Sequence, residues 1–121
     1  MLLTNESIYP GDCYICTAGE TELAIQQCAD DEQNYLLMSF INDNGKNIGF
    51  EIVNERIDGL AGLLKNEANL HHVSEGEEVF LRSIHFFGEV HILVKSREIV
   101  IHASFSPQQL NDAVAFMYGD R

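Results

Sequence analysis

Basic residues are scarce in this chain. Its 121 residues include 7 lysines and arginines against 19 aspartates and glutamates, which gives a formal net charge of −12. Because this charge repels phosphate backbones, we do not expect nucleic-acid binding. The charge favours a basic protein partner, since complementary fields accelerate encounter. The alternative is that acidity serves only solubility.

Long apolar runs are also missing. No run approaches the roughly 20 residues that a membrane-spanning helix needs. The opening residues, MLLTNE, have neither the basic start nor the long apolar centre of a signal peptide. The hydrophobic fraction of 45% is nevertheless sufficient for a packed core. We therefore expect a single cytoplasmic domain over residues 1–121, with no membrane contact.

Cysteine is limited to Cys13, Cys16 and Cys28. An odd count in a short chain does not make a disulfide framework. Cys13 and Cys16 have C-x-x-C spacing, but they fall in a predicted strand that directs their side chains to opposite faces. No second pair completes a zinc site, and no helix start activates a redox thiol. We interpret all three as buried or half-buried structural residues.

The motifs of common enzymes are absent. The sequence has no G-x-S-x-G elbow and no glycine-rich phosphate loop. No carboxylate is isolated in an apolar run, where desolvation would raise its pKa into a catalytic range. Cys28 and any histidine could form a nucleophile–base pair, but no motif in the sequence singles out such a pair. We expect no catalytic residue, no cofactor and no enzymatic activity, with a small enzyme of unrecognised class as a remaining alternative.

What the sequence does contain is β structure. Residues 89–105 are dominated by β-branched side chains, which predicts two strands joined by a two-residue loop at Ser96-Arg97. In that register Lys95 faces Glu98, a favourable cross-strand charge pair. The opposite face is wholly apolar and must be covered by other elements; it carries Val90, Ile92, Val94, Ile99, Ile101 and Ala103.

The same register places His91 opposite His102, near enough to share a metal ion. Two imidazoles do not make a zinc site without a third protein ligand. His85 is the obvious candidate, but a two-residue turn at Phe87-Gly88 would put it on the opposite sheet face. The adjacent pair His71-His72 is a further possibility, although such pairs are common by chance. We therefore predict no metal site.

The remaining elements are separated by turn signals. Five further strands are predicted, at residues 12–17, 21–28, 35–41, 47–53 and 79–86. Asn44-Gly45 suits a type I′ turn. A helix is predicted from the N-cap Asn54 to about Asn69, followed by a loop over residues 70–78.

A second helix begins at Ser106, where Gln109 completes a capping box. The resulting order, ββββ-α-βββ-α, contains no β-α-β alternation. It predicts an α+β fold with a mainly antiparallel sheet of about seven strands and two helices packed on it.

Two segments resemble known proteins. The stretch ADDEQNYLLM at residues 29–38 is an acidic turn running into an apolar strand, and SPQQL at residues 106–110 follows the last strand pair. Together they resemble the small acidic immunity proteins of bacterial toxin–immunity systems. The resemblance implies a non-enzymatic protein-binding module that neutralises a toxin domain.

A second resemblance concerns the predicted middle helix. The segment LAGLLKNEANL at residues 60–70 is similar to that of type III secretion chaperones, which are also small, acidic and α+β. Three predicted strands follow this helix, where those chaperones typically have two. A chaperone that binds an effector segment is therefore the alternative hypothesis.

The preferred hypothesis is an inhibitor that places carboxylates where a basic toxin, such as a nuclease, expects phosphates. Nothing in the sequence identifies the toxin. The candidate contacts are the acidic clusters, namely Asp30, Asp31, Glu32, Glu75, Glu77 and Glu78.

Overall fold

The computed structural model describes residues 12–29, 34–74 and 76–119. In these residues, eight strands and two helices follow the order ββββ-α-ββββ-α, which confirms the α+β class. The first sheet contains β1 (Cys13–Ala18), β2 (Thr21–Ala29), β3 (Asn34–Asn42) and β4 (Asn47–Val53). The second contains β5 (Ala68–Ser74), β6 (Glu77–Phe86), β7 (Glu89–Ser96) and β8 (Ile99–Phe105). Helix α1 (Ile57–Lys65) follows a 3-10 turn at Asn54–Arg56, and α2 is Pro107–Met117.

Each sheet is an antiparallel meander in chain order, so the strands form two sheets of four. Strand β4 packs against β5, β7 and β8, while α1 contacts α2, β5 and β6. One hydrophobic core lies between these elements. It includes Leu23, Phe40, Ile52, Leu60, Ile92, Phe105 and Leu110, each at most 1% exposed. Within the described ranges, no helix is long and apolar enough to cross a membrane.

Strand β5 occupies the segment that was predicted to be a loop. The α1 helix ends at Lys65 instead of near Asn69, and Asn66 is already extended. The side chain of His72 points inward, where its Nε2 donates to the backbone carbonyl of Glu51 at 2.8 Å. This bond to β4 and the ladder to β6 hold a segment with low intrinsic β-propensity in a strand.

The hairpin of β7 and β8 has a different register from the predicted one. Ser96 pairs with Ile99, so the loop is Arg97-Glu98 and His91 lies opposite Ser104. The Ser96 hydroxyl donates to the Glu78 carbonyl at 3.0 Å, which keeps Ser96 within the strand. A shift of two residues preserves the alternation of side chains, so the predicted apolar face is confirmed as the inner one.

The β3–β4 hairpin is confirmed, but its turn is not type I′. Gly45 has a φ of 89°, whereas Asn44 does not have a positive φ. The Asn42 side chain accepts from the Asn44 amide, and the Asn42 amide donates to the Lys46 carbonyl. The connection is therefore a longer loop that ends on a left-handed glycine.

The second helix begins as predicted. The Ser106 hydroxyl accepts from the Gln109 amide at 3.1 Å, and the Gln109 side chain accepts from the Ser106 amide at 3.0 Å. Gln109 also donates to the Thr17 carbonyl on β1 and accepts from the Tyr14 hydroxyl through its own carbonyl. The capping box thus attaches α2 to the first sheet.

Candidate functional site

The second sheet presents a continuous surface away from the core, which we call the outer face. The alternation of side chains along the four strands places every second residue there. The outer face consists of Asn69, His71 and Val73 of β5, Glu78, Phe80, Arg82, Ile84 and Phe86 of β6, Glu89, His91, Leu93 and Lys95 of β7, and Val100, His102 and Ser104 of β8.

Large apolar side chains are concentrated on the outer face. Val73, Phe80, Ile84, Phe86, Leu93 and Val100 are between 37% and 56% exposed. The neighbouring turn adds Phe87, which is 88% exposed. Elsewhere in the described ranges, only Ile15 and Tyr118 are large apolar residues of comparable exposure. Because the exposed residues cluster on one sheet, they form a patch rather than scattered exposure, and such a patch is a candidate contact surface.

Charge on the outer face is balanced. Arg82 and Lys95 stand among the apolar side chains, and Glu78 and Glu89 lie at the ends of their strands. The charges of these two basic and two acidic residues cancel, so the net charge of −12 comes from residues outside this face. Aromatic residues and arginine with little net charge are typical of the centre of a protein–protein interface.

Several aromatic and imidazole rings of the outer face contact one another. The His71 ring stacks on Phe80 with centroids 4.5 Å apart and an interplanar angle of 3°. Phe86 contacts Phe87 at 4.2 Å between centroids. His91 and His102 lie diagonally across β7 and β8, with Nδ1 of His91 3.2 Å from Nε2 of His102. The two histidines share a face as predicted, although they are not direct register partners.

The predicted partner contacts fall into two groups. Asp30, Asp31, Glu32 and Glu75 lie outside the described residues. Glu77 and Glu78 are exposed at the start of β6, and Glu78 lies on the outer face opposite Val73. Glu77 forms an ion pair with Arg97, and Glu78 lies 3.6 Å from Nε2 of His71. Their role in binding stays a prediction.

His85 lies outside the histidine pair. Of the two turn lengths that the sequence left open, the structure has the two-residue turn at Phe87-Gly88, and both of its residues have positive φ. His85 pairs with Val90, so it is out of phase with His91 on the sheet. In the residues that the structure describes, no group of three histidine, cysteine or carboxylate side chains is arranged to hold a metal ion.

The cysteines are free thiols in distinct environments. Cys13 is exposed, Cys16 is half-buried and Cys28 is buried, so the prediction of burial is wrong for Cys13. Cys13 and Cys16 point to opposite faces of β1, as the spacing predicted. Desolvation by burial raises the pKa of all three thiols. A raised pKa keeps a thiol protonated and weakens it as a nucleophile.

A cleft of about 540 Å³ lies away from the outer face, where the ends of β2, β3 and α2 approach the start of α1. Its wall includes Cys28, Tyr35, Asp58 and Tyr118. The Tyr118 hydroxyl donates to the Asp58 carboxylate, and this hydrogen bond raises the pKa of Tyr118. With Cys28 also held protonated, the cleft offers hydrogen bonds and apolar contact rather than an activated nucleophile.

Comparison with known proteins supplies no family. The chain matches no protein-family model, and no curated protein aligns with it significantly. Any functional hypothesis therefore depends on the residues themselves.

Sequence reasoning did not find the outer face. The available signal was in β6, where Phe80, Ile84 and Phe86 alternate with the buried residues Val79 and Leu81. A strand that is apolar on both faces is expected at the centre of a covered sheet. Here it forms part of a sheet that no other described element covers on that side.

Proposed function

We propose that this protein is a non-enzymatic binding module that neutralises a basic toxin domain in the manner of an immunity protein. The observation that carries the proposal is the outer face, an exposed apolar and aromatic surface without net charge on a chain of net charge −12. A surface of this composition favours specific contact with a folded partner. The surrounding acidity favours a partner that is basic.

In this proposal the outer face supplies affinity. Phe80 and Leu93 occupy neighbouring central strands, where a partner would desolvate them most completely. Arg82 pairs with Leu93 in the ladder, and it offers five hydrogen-bond donors beside these apolar side chains. Arginine is enriched among the residues that dominate binding energy, and such residues lie in desolvated positions near the centre of an interface.

In this proposal the acidic clusters raise the association rate and favour basic partners over acidic ones. Asp30, Asp31, Glu32, Glu75, Glu77 and Glu78 would attract a basic domain and repel acidic competitors. Exposed charges of this kind alter the association rate more than the lifetime of a complex. The two sets of residues therefore have separable roles.

The outer face also favours a second candidate function. A secretion-type chaperone would dock an unfolded effector segment on an exposed apolar surface, and Phe86 and Phe87 extend that surface to its edge. The two functions differ in the partner, which is a folded basic domain in one and an unfolded segment in the other. Heat capacity distinguishes them, because coupled folding gives a large negative change on binding.

The test begins with the product of the neighbouring open reading frame as the trial partner. We expect Phe80→Ala and Leu93→Ala each to weaken binding by about 2 kcal/mol, measured by calorimetry. Ile15→Ala is the matched control, because Ile15 is 54% exposed on the first sheet. Equal affinity of all three variants and the unmodified protein would contradict the role of the outer face.

Loss of activity of a purified toxin in the presence of this protein is the decisive functional measurement. A partner that binds through the outer face but is unfolded before binding would replace the inhibitor with the chaperone. A partner whose binding depends on Ile15 and not on Leu93 would contradict both.

A further inference from the structure

Two histidines on the outer face have the geometry of a pair of metal ligands. Nδ1 of His91 and Nε2 of His102 are 3.2 Å apart on neighbouring strands. Two imidazole nitrogens bound at about 2.0–2.1 Å to one tetrahedral ion are separated by about 3.3–3.4 Å. A small outward shift of the rings therefore accommodates an ion between them.

The surroundings of His91 orient it for this role. Oε1 of Glu89 lies 3.6 Å from Nε2 of His91, whereas His102 contacts the other ring nitrogen, Nδ1. Nε2 is buried and makes no hydrogen bond within the described residues. A small movement of the Glu89 carboxylate would bring it within hydrogen-bond distance of Nε2, and accepting from Nε2 would leave the lone pair of Nδ1 directed at His102. Ligating histidines commonly have such a carboxylate behind them.

We propose that His91 and His102 form an exchangeable two-histidine site for one divalent transition-metal ion, such as Zn²⁺ or Ni²⁺. Neutral imidazole is a preferred ligand of these ions. The described residues supply no third ligand, so the ion keeps open positions toward solvent and binds less tightly than a structural zinc. This proposal departs from the expectation of no metal site drawn from the sequence, because that expectation required a third protein ligand and an exchangeable site does not.

The competing explanation is a hydrogen bond between the two rings. A single proton shared by Nδ1 of His91 and Nε2 of His102 also accounts for a separation of 3.2 Å. The two explanations differ in what zinc does to these nitrogens. An ion displaces the shared proton and shifts both nitrogen resonances, whereas a hydrogen-bonded pair without affinity for metal leaves them unchanged.

The test is a titration of the metal-free full chain with Zn²⁺, followed by calorimetry and by imidazole ¹⁵N resonances. We expect one ion per chain, with coincident shifts of Nδ1 of His91 and Nε2 of His102. His91→Gln and His102→Gln should each weaken zinc binding by at least about tenfold, and Glu89→Gln by about tenfold. His85→Gln is the matched control and should bind zinc as the unmodified protein does.

Unmoved imidazole resonances at saturating zinc would overturn the proposal, as would shifts confined to the other histidines. Equal zinc affinity in His91→Gln, His102→Gln and His85→Gln would overturn it as well. The resonance measurement on the unmodified chain needs no variant, so the proposal stays falsifiable even if a substitution prevents folding. Neither measurement requires the binding partner, so the result is independent of the proposed function.

Discussion

The two sheets have the same meander topology, but they differ in the size and exposure of the side chains that point away from the core. In the first sheet, one cross-strand row carries the small residues Ala24, Ser39 and Gly49 on the side away from the core, and this row ends at the exposed Ile15 on β1. In the second sheet, the equivalent central positions carry Phe80 and Leu93. Because the first sheet folds without exposed aromatic residues, the fold itself does not require them on the second.

The small residues on the outer side of the first sheet are themselves buried. Ala24 is 4% exposed and Ser39 is 1% exposed, although neither points into the core. A Cβ atom at Gly49 would lie 3.0 Å from the Ser39 hydroxyl oxygen, so even an alanine at this position would require the Ser39 side chain to move. The second sheet leaves its large side chains accessible, which is the arrangement that a partner can use.

The largest expected effect separates the two faces of the second sheet. Ile92 and Leu93 are adjacent on β7, and they are 1% and 41% exposed. We expect Ile92→Ala to lower the free energy of unfolding by about 2–5 kcal/mol through cavity formation. Leu93→Ala should change it by only about 0.5 kcal/mol, since its surroundings are already hydrated. Urea denaturation of both variants measures the difference.

The ratio of these two effects tests whether the outer face is uncovered in the isolated protein. Losses of similar size would mean that another copy or an undescribed part of the chain covers Leu93. Repeating the denaturation at several protein concentrations separates these cases, because coverage by another copy depends on concentration.

A smaller effect should distinguish the acidic clusters of the two sheets. Reversing Asp30, Asp31 and Glu32 to lysine, between β2 and β3, should lower the association rate with a basic partner by about tenfold and flatten its salt dependence. Reversing Glu75, Glu77 and Glu78 should do the same if that end of the second sheet faces the partner. Stopped-flow mixing at two salt concentrations measures both.

The unmodified protein and Leu93→Ala provide the controls for this comparison. Leu93→Ala should mainly shorten the lifetime of the complex and leave the salt dependence of association unchanged. A salt-independent association rate, with both triple reversals neutral, would reduce the acidity to a role in solubility.

The smallest effect concerns the connection between the second sheet and the first. Ser106→Ala removes the hydroxyl that accepts from the Gln109 amide, and it should cost about 1 kcal/mol of stability. Ser106→Asp is the control, because aspartate caps equally well. A denaturation midpoint that Ser106→Ala leaves unchanged would mean that the cap is redundant with the bonds from Gln109 to β1.

Local signals predicted much of the fold. The capping box at Ser106 and Gln109 depends on residues three apart, so both partners are visible in the sequence. The inner face of β7 and β8 was predicted because alternation survives a register error of two residues. The error itself arose at Ser96, whose hydroxyl bonds to the carbonyl of Glu78, and sequence alone does not reveal that contact.

By itself, the sequence determined the α+β class, the predominance of antiparallel strands, the start of α2 and the acidic character of the chain. Periodicity and capping depend on residues a few positions apart, and composition is a property of the whole chain, so all three can be read without the tertiary structure. Only the tertiary structure decided that residues 68–74 form a strand, because His72 finds its hydrogen-bond acceptor on β4. It also decided that Phe80 and Leu93 stay accessible, since an apolar side chain has the same chemistry whether or not another layer covers it.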